Sequence, residues 1–91
     1  MSSTIVITGV TRGLGRALAE QLSFMGHTVI GCGRNKDILK NLSKSLPENT
    51  DFKALDISDH DIVRSWAKEI LRKFDVPDYL INNAAVINKN A

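Results

Sequence analysis

The feature that most constrains the fold is a glycine-rich segment that directly follows a short β-branched run. The run covers residues 5–7 (Ile-Val-Ile), and glycines follow at positions 9, 13 and 15. A fully apolar β-branched run is typical of a strand buried on both faces, as in parallel sheets. Glycines after such a run allow a tight turn, beyond which a helical pattern begins. The sequence therefore predicts a strand, a sharp turn and a helix in immediate succession.

The alternation of strand and helix continues along the chain. Apolar runs at 28–32, 52–55 and 79–82 predict three more strands. Apolar residues at helical spacing within 38–46 and 62–74 predict two further helices. The apolar face predicted for the first helix consists of Leu14, Leu18, Leu22 and Met25.

Local signals indicate where the helices begin and end. Gly26 ends the first helix and Pro47 closes the second, while Ser58 and Asp61 have the spacing of a capping box at the start of the third. Strands alternating with helices predict an α/β fold of Rossmann type, the N-terminal half of a doubly wound parallel sheet. We expect strand order 3-2-1-4 with helices on both faces. The first and fourth strands would then flank the switch point where such sheets bind ligands.

Composition narrows the class of protein. The chain has 91 residues, of which 43% are hydrophobic and 24% charged, as in folded globular domains. A net charge of +2 with scattered basic residues gives no reason to expect a nucleic-acid partner. No apolar run is long enough to cross a bilayer, and no secretory signal opens the sequence, so we expect no membrane partner and a cytoplasmic location. The single cysteine and two histidines show no ligand spacing, so no metal site is predicted.

The glycine turn has the chemistry of an anion site. Such a turn brings backbone N–H groups and a helix N-terminus toward a phosphate, where the helix dipole favours negative charge. Gly9 suits the tight turn, Gly13 lets backbone approach a pyrophosphate, and Gly15 lets the helix pack closely on the strand. The G-x-x-x-G-x-G spacing lacks the Gly-Lys-Ser/Thr ending of nucleotide triphosphatase loops, which argues against an ATPase or GTPase.

Three motifs together resemble the short-chain dehydrogenase/reductase family. They are Thr8-Gly9-x-x-x-Gly13-x-Gly15, Asp56 after the third strand, and Asn82-Asn83-Ala84-Ala85 after the fourth. The resemblance covers the whole chain. It implies that the glycine turn binds the cofactor pyrophosphate, that the aspartate contacts the adenine amino group, and that the Asn-Asn-Ala segment lines the cleft and braces the central strands. Ala85 departs from the glycine usual in the family, which adds a methyl group near the cofactor.

Charge indicates which cofactor is bound. An acidic residue at the end of the second strand normally accepts hydrogen bonds from the adenosine ribose and repels the extra phosphate of NADP. This chain has Gly33 there, followed by Arg34, and Arg12 stands before the second glycine. Two guanidinium groups can hold the 2′-phosphate, so we predict NADP(H) over NAD(H). The alternative is that both arginines are solvated surface charges.

The predicted cofactor site is therefore a set of residues from the turn and from three strand ends. Its members are Gly9, Thr11, Arg12, Gly13, Leu14, Gly15, Arg34, Asp56, Ile57, Asn83, Ala84 and Ala85.

Catalytic residues are not predicted within this chain. The family resemblance implies a serine and a Tyr-x-x-x-Lys pair for carbonyl reduction, and Asn83 stands four residues after the single tyrosine, Tyr79. We expect Tyr79 to serve in packing. Because family members are more than twice as long, residues 1–91 are interpreted as an incomplete NAD(P)-binding Rossmann domain that lacks a C-terminal catalytic half.

Two functional hypotheses remain open. In the first, the chain is the NADP(H)-binding portion of a reductase for an aldehyde or ketone and is inactive alone; in the second, it is a non-catalytic NADP(H)-binding or regulatory protein. Segments 26–32 and 76–90 are similar to NADPH-dependent pterin aldehyde reductases of the same family. A methyltransferase is disfavoured because Asp56 and Asn82-Asn83 fit the reductase pattern together. We also expect a homo-oligomer, since an edge at the fourth strand would favour self-association.

Overall fold

A computed structural model of the protein describes residues 2–84, which form four strands and three helices in alternation. The elements are β1 (Thr4–Thr8), α1 (Gly13–Phe24), β2 (Thr28–Gly33), α2 (Lys36–Ser45), β3 (Thr50–Ala54), α3 (His60–Phe74) and β4 (Tyr79–Asn82).

The four strands form one parallel sheet in the order β3-β2-β1-β4. Ile5 lies beside Val29 of β2 and beside Tyr79 of β4, so the central strand is paired on both sides. Its residues 5–8 are all buried, which explains the uninterrupted apolar run. The predicted strand order and α/β class are confirmed.

The helices cover both faces of the sheet. On one face, α1 and α2 enclose a core that includes Ile7, Val29 and Leu42. On the other face, Trp66 and Ile70 of α3 pack in a second core with the sheet residues Val6, Ile30 and Cys32. Burial of these side chains, worth about 2 kcal/mol for each large one, holds the carboxyl ends of the strands in a fixed arrangement.

The apolar face predicted for α1 is only half right. Leu18 and Leu22 pack against the core, but Leu14 is 67% exposed and Met25 is also exposed. The buried row consists of Gly15, Ala19 and Ser23, which repeat every four residues. Small side chains let the helix lie close to the sheet. The larger residues of the predicted face then lie at the edge of the contact between helix and sheet instead of at its centre.

The start of α3 also differs from the sequence prediction. The N-cap is Asp59, whose carboxylate accepts from the backbone N–H of Ile62 at 3.2 Å. Ser58 is not the cap, because its backbone N–H and hydroxyl both donate to Oδ1 of Asp56, at 2.9 and 2.7 Å. The capping-box prediction was wrong because this neighbouring carboxylate engages the serine.

Within residues 2–84, β4 pairs only with β1, and its outer side is uncovered. Leu80 is 68% exposed and Tyr79 is 62% exposed. A groove of about 670 Å³ runs between β4 and α3. Its apolar wall includes Val6, Val63, Trp66, Ile70, Leu71 and Leu80. Exposed apolar surface beside an open strand edge favours association.

We expect the 91-residue chain to self-associate through this edge. Sedimentation velocity should show larger species as concentration rises, and Leu80→Lys should shift the distribution toward monomer because a charge there opposes burial. Ile38→Lys, at an exposed site on α2, is the matched control and should leave the distribution unchanged. A stable monomer at high concentration would contradict the expectation.

Candidate functional site

The glycine turn joins the carboxyl end of β1 to the first turn of α1. Gly9 and Gly13 have φ angles of 76° and 64°, a region in which side chains are disfavoured. The backbone N–H groups of Gly9 and Val10 both donate to the carbonyl oxygen of Cys32, at 2.9 and 3.1 Å. These bonds fix the turn against the end of β2. The turn is therefore held against the carboxyl ends of both β1 and β2.

The N-terminus of α1 differs from those of the other helices. Asn35 caps α2 through a hydrogen bond to the N–H of Ile38, and Asp59 caps α3 in the same way. Each of those helices also has an aspartate in its first turn, whereas α1 has neither a side-chain cap nor an acidic residue there. Its first N–H groups, at the positive end of the helix dipole, therefore lack a side-chain cap from residues 2–84 and suit an anion.

Gly15 holds α1 against the turn. A β-carbon at this position would overlap the carbonyl oxygen of Gly9 and come within 2.6 Å of Nδ2 of Asn83. The same Asn83 amide donates to the Gly9 carbonyl oxygen at 3.0 Å. Helix, turn and the segment after β4 thus meet at one point where there is no room for a side chain.

A second set of hydrogen bonds joins the carboxyl ends of β1 and β4. The Thr8 hydroxyl donates to Oδ1 of Asn82 at 3.0 Å and accepts from the backbone N–H of Ala84 at 3.0 Å. Because Thr8 is buried, these bonds satisfy a polar group that would otherwise be costly. They set the position of Asn83 relative to the glycine turn.

A pocket of about 350 Å³ opens at the carboxyl ends of the strands. It is lined by Gly9, Thr11, Arg12, Cys32, Gly33, Arg34, Leu55, Asp56, Ile57, Ser58, Asn83 and Ala84. Eight predicted residues are among them: Gly9, Thr11, Arg12, Arg34, Asp56, Ile57, Asn83 and Ala84.

The remaining predicted residues lie elsewhere. Gly13 and Leu14 are exposed in the first turn of α1, and Gly15 is buried beneath the turn, where it packs rather than lines the pocket. Ala85 lies outside the described residues.

Several lining residues were not in the predicted site. Cys32, Gly33, Leu55 and Ser58 line the pocket because they are the neighbours of predicted residues at the same strand ends. Their position after apolar runs is the sequence signal that could have found them, since the carboxyl ends of parallel strands share one edge.

Asp56 is the acidic group of the pocket. Hydrogen bonds from the backbone N–H and the hydroxyl of Ser58, together with the nearby positive charge of Arg34, hold the pKa of this carboxyl below its usual value. Asp56 is therefore ionised at neutral pH and is a hydrogen-bond acceptor. Burial raises the pKa of the Cys32 thiol, which therefore stays protonated and unreactive.

Two other features of residues 2–84 bear on function. No group of three His, Cys, Asp or Glu side chains is placed to hold a metal ion in this part of the chain. None of the helices described combines the length and apolar character needed to span a bilayer.

Tyr79 lies away from the pocket. It pairs with Ile5 at the amino end of the sheet, whereas the pocket lies at the carboxyl end, where Thr8 pairs with Asn82. At 62% exposure Tyr79 is not a core residue within residues 2–84, and it lines the apolar groove beside β4, so its packing role stays a prediction.

This geometry, a parallel sheet with a glycine turn and a pocket at its switch point, defines a fold of Rossmann type. The family model described as short chain dehydrogenase matches residues 3–91, and the chain belongs to this family. An NADPH-dependent pterin aldehyde reductase from Arabidopsis thaliana is 46% identical over 90 residues, which cover 97% of this chain and 37% of the relative. A 3-oxoacyl-(acyl-carrier-protein) reductase from Buchnera aphidicola is 38% identical, covering 96% of this chain and 36% of the relative.

Solved structures show the same architecture. A short-chain dehydrogenase from Streptomyces avermitilis superposes with a TM-score of 0.80 at 30% identity, over 87% of this chain and 29% of that one. A metagenomic short-chain oxidoreductase in complex with NADP gives a TM-score of 0.78 at 26% identity, over 86% and 37% of the two chains. The chain thus spans little more than a third of the length of the curated relatives it matches.

The packing at Gly15 predicts a large effect of a single methyl group. Gly15→Ala should lower the free energy of unfolding by at least about 3 kcal/mol, because the methyl group meets backbone that cannot rotate away. Urea unfolding followed by circular dichroism measures it. Alanine favours helix by about 1 kcal/mol over glycine, so propensity alone predicts stabilisation.

Gly13→Ala is the matched control. A β-carbon there meets no atom within 4 Å, so only the positive φ opposes the substitution, at about 1–2 kcal/mol. Equal losses for the two variants would contradict the assigned packing role of Gly15.

Proposed function

We propose that this chain binds NADP(H) in the pocket at the carboxyl ends of its strands, as the cofactor-binding part of a carbonyl reductase. The observation that carries the proposal is that Arg12 and Arg34 line one pocket together with Gly33, the position where an acidic residue would select NAD(H). Arg12 comes from the glycine turn and Arg34 from the end of β2, so two guanidinium groups border the pocket from different elements.

The rest of the pocket supports the same cofactor. The uncapped N-terminus of α1 suits the pyrophosphate, and the ionised Asp56 suits an adenine amino group. Ile57 and Leu55 add apolar surface on which an adenine ring can lie. The names of the Arabidopsis relative and of the metagenomic structure mention NADPH and NADP respectively, which supports this choice.

Removing either arginine should weaken NADPH binding selectively. Arg12→Ala and Arg34→Ala should each lower the affinity for NADPH about 10-fold or more, since a charge-assisted hydrogen bond contributes about 1.5–3 kcal/mol. The affinity for NADH should change far less because NADH lacks the 2′-phosphate. Isothermal titration with both cofactors measures this.

Arg64→Ala, on the exposed face of α3, is the matched control and should leave both affinities unchanged. If the unmodified chain binds NADH as well as or better than NADPH, the proposed preference is wrong.

For the whole protein we propose reduction of an aldehyde or ketone, in which a bound nicotinamide supplies the hydride. The chain's own residues bind and orient the cofactor. The family resemblance implies a tyrosine as general acid with a lysine four residues later, and residues 1–91 contain no such pair. We further propose that the protein is cytoplasmic, which agrees with its single buried thiol, and that it is homo-oligomeric.

We expect the 91-residue chain to bind NADPH without turnover. Mixed with NADPH and a panel of aldehydes and ketones, it should leave the absorbance of the reduced nicotinamide unchanged, because residues 1–91 contain no Tyr-x-x-x-Lys pair. Binding without turnover is also what the second hypothesis, a non-catalytic NADP(H)-binding or regulatory protein, predicts for this chain. The two hypotheses predict different results for a longer chain that supplies a Tyr-x-x-x-Lys pair. Only a reductase should then gain activity.

A further inference from the structure

We propose that Thr11 is a specificity-determining residue, because its γ-methyl group occupies the space that any side chain at position 33 would need. This inference rests on the proposed function, since it concerns which nicotinamide cofactor the pocket accepts. The methyl group that limits position 33 lies in the glycine turn, whereas position 33 itself lies at the end of β2.

At Gly33 the backbone conformation permits a side chain, but the available space does not. Gly33 is not among the glycines with positive φ, so its backbone suits any residue. A β-carbon at this position would lie 2.5 Å from Cγ2 of Thr11, far inside van der Waals contact. The next neighbours, Cβ of Thr11 and Cδ2 of Leu39, would both be at 3.6 Å, which is ordinary contact. In the observed rotamer, one methyl group of Thr11 therefore occupies the space that a β-carbon at position 33 would need.

Thr11 has little freedom to move away. It is β-branched, so of its three staggered rotamers only the one that turns the Cβ hydrogen toward Gly33 clears the space of both heavy γ atoms. Its backbone is held because the preceding N–H groups of Gly9 and Val10 donate to the carbonyl oxygen of Cys32, next to Gly33. The turn cannot retreat from the strand without breaking both bonds.

The consequence concerns the choice between NAD(H) and NADP(H). An acidic side chain at the end of the second strand is the group that accepts hydrogen bonds from the adenosine ribose of NAD(H). With Thr11 present, an aspartate at position 33 is forced into the turn or distorts it. Thr11→Ala removes the offending atom and leaves contacts of 3.6 Å, so the acidic residue then fits. A preference for NADH over NADPH thus requires two coordinated changes in separate elements.

The steric part is tested by a double-mutant cycle that needs no cofactor. Gly33→Ala should lower the Tm of the chain by roughly 5 °C or more. Thr11→Ala in the same chain should restore most of that loss, which would show coupling between the two positions. Additive effects of the two substitutions would overturn the proposal.

Gly31→Ala is the matched control on the same strand. Its β-carbon would lie 2.7 Å from Cγ1 of Val10 and 3.0 Å from the Phe52 ring, with no Thr11 atom among its nearest neighbours. Thr11→Ala should therefore fail to rescue Gly31→Ala. Rescue of both glycine variants would mean that Thr11→Ala stabilises the chain generally, and it would overturn the specific contact.

The specificity part is tested by titrating NADPH and NADH into Gly33→Asp and into Thr11→Ala/Gly33→Asp. We expect the single variant to bind both cofactors at least about 10-fold more weakly than the unmodified chain binds NADPH, and the double variant to bind NADH better than NADPH. A single variant that prefers NADH overturns the inference. If the unmodified chain binds neither cofactor, the proposed function fails, and the unfolding cycle alone decides whether Thr11 excludes a side chain at position 33.

Discussion

The structure depends on a close approach of backbone to backbone, where the first turn of α1 meets the carbonyl of Gly9. This approach requires glycine at position 15, because any larger residue would overlap that carbonyl. The same oxygen accepts a hydrogen bond from the Asn83 side chain, so the segment after β4 is held at the same point. Three segments that are distant in sequence therefore share one fixed centre, and the pocket forms around it.

The pocket walls follow from this centre through the parallel sheet. Parallel strands end at a common edge. The short polar segments after β1, β2, β3 and β4 therefore come together although they are far apart in the sequence. The turn is bonded to the end of β2 through the Cys32 carbonyl, and Thr8 bonds β1 to the end of β4. Backbone geometry thus sets the separations of Arg12, Arg34 and Asp56, whose side chains remain exposed.

Strand order, and eight of the residues that line the pocket, could be predicted from sequence, because both follow from patterns of whole segments. The face of α1 could not, since hydrophobicity marked Leu14 as buried while the steric demand of Gly15 turned the small residues inward. The cap of α3 could not either, because Ser58 is engaged by Asp56, two residues before it. In both cases a local competition between neighbours decided the outcome, and spacing patterns carry no information about such competition.

The uncapped start of α1 has a consequence for the energetics of ligand binding. A helix with a side-chain cap gains about 1 kcal/mol from it, and α2 and α3 obtain this from Asn35 and Asp59. Within residues 2–84 α1 has no such cap, and an anion bound as proposed would supply the equivalent contribution at the start of this helix. Occupancy of the site and the local folding equilibrium of the glycine turn are then thermodynamically linked, and each favours the other.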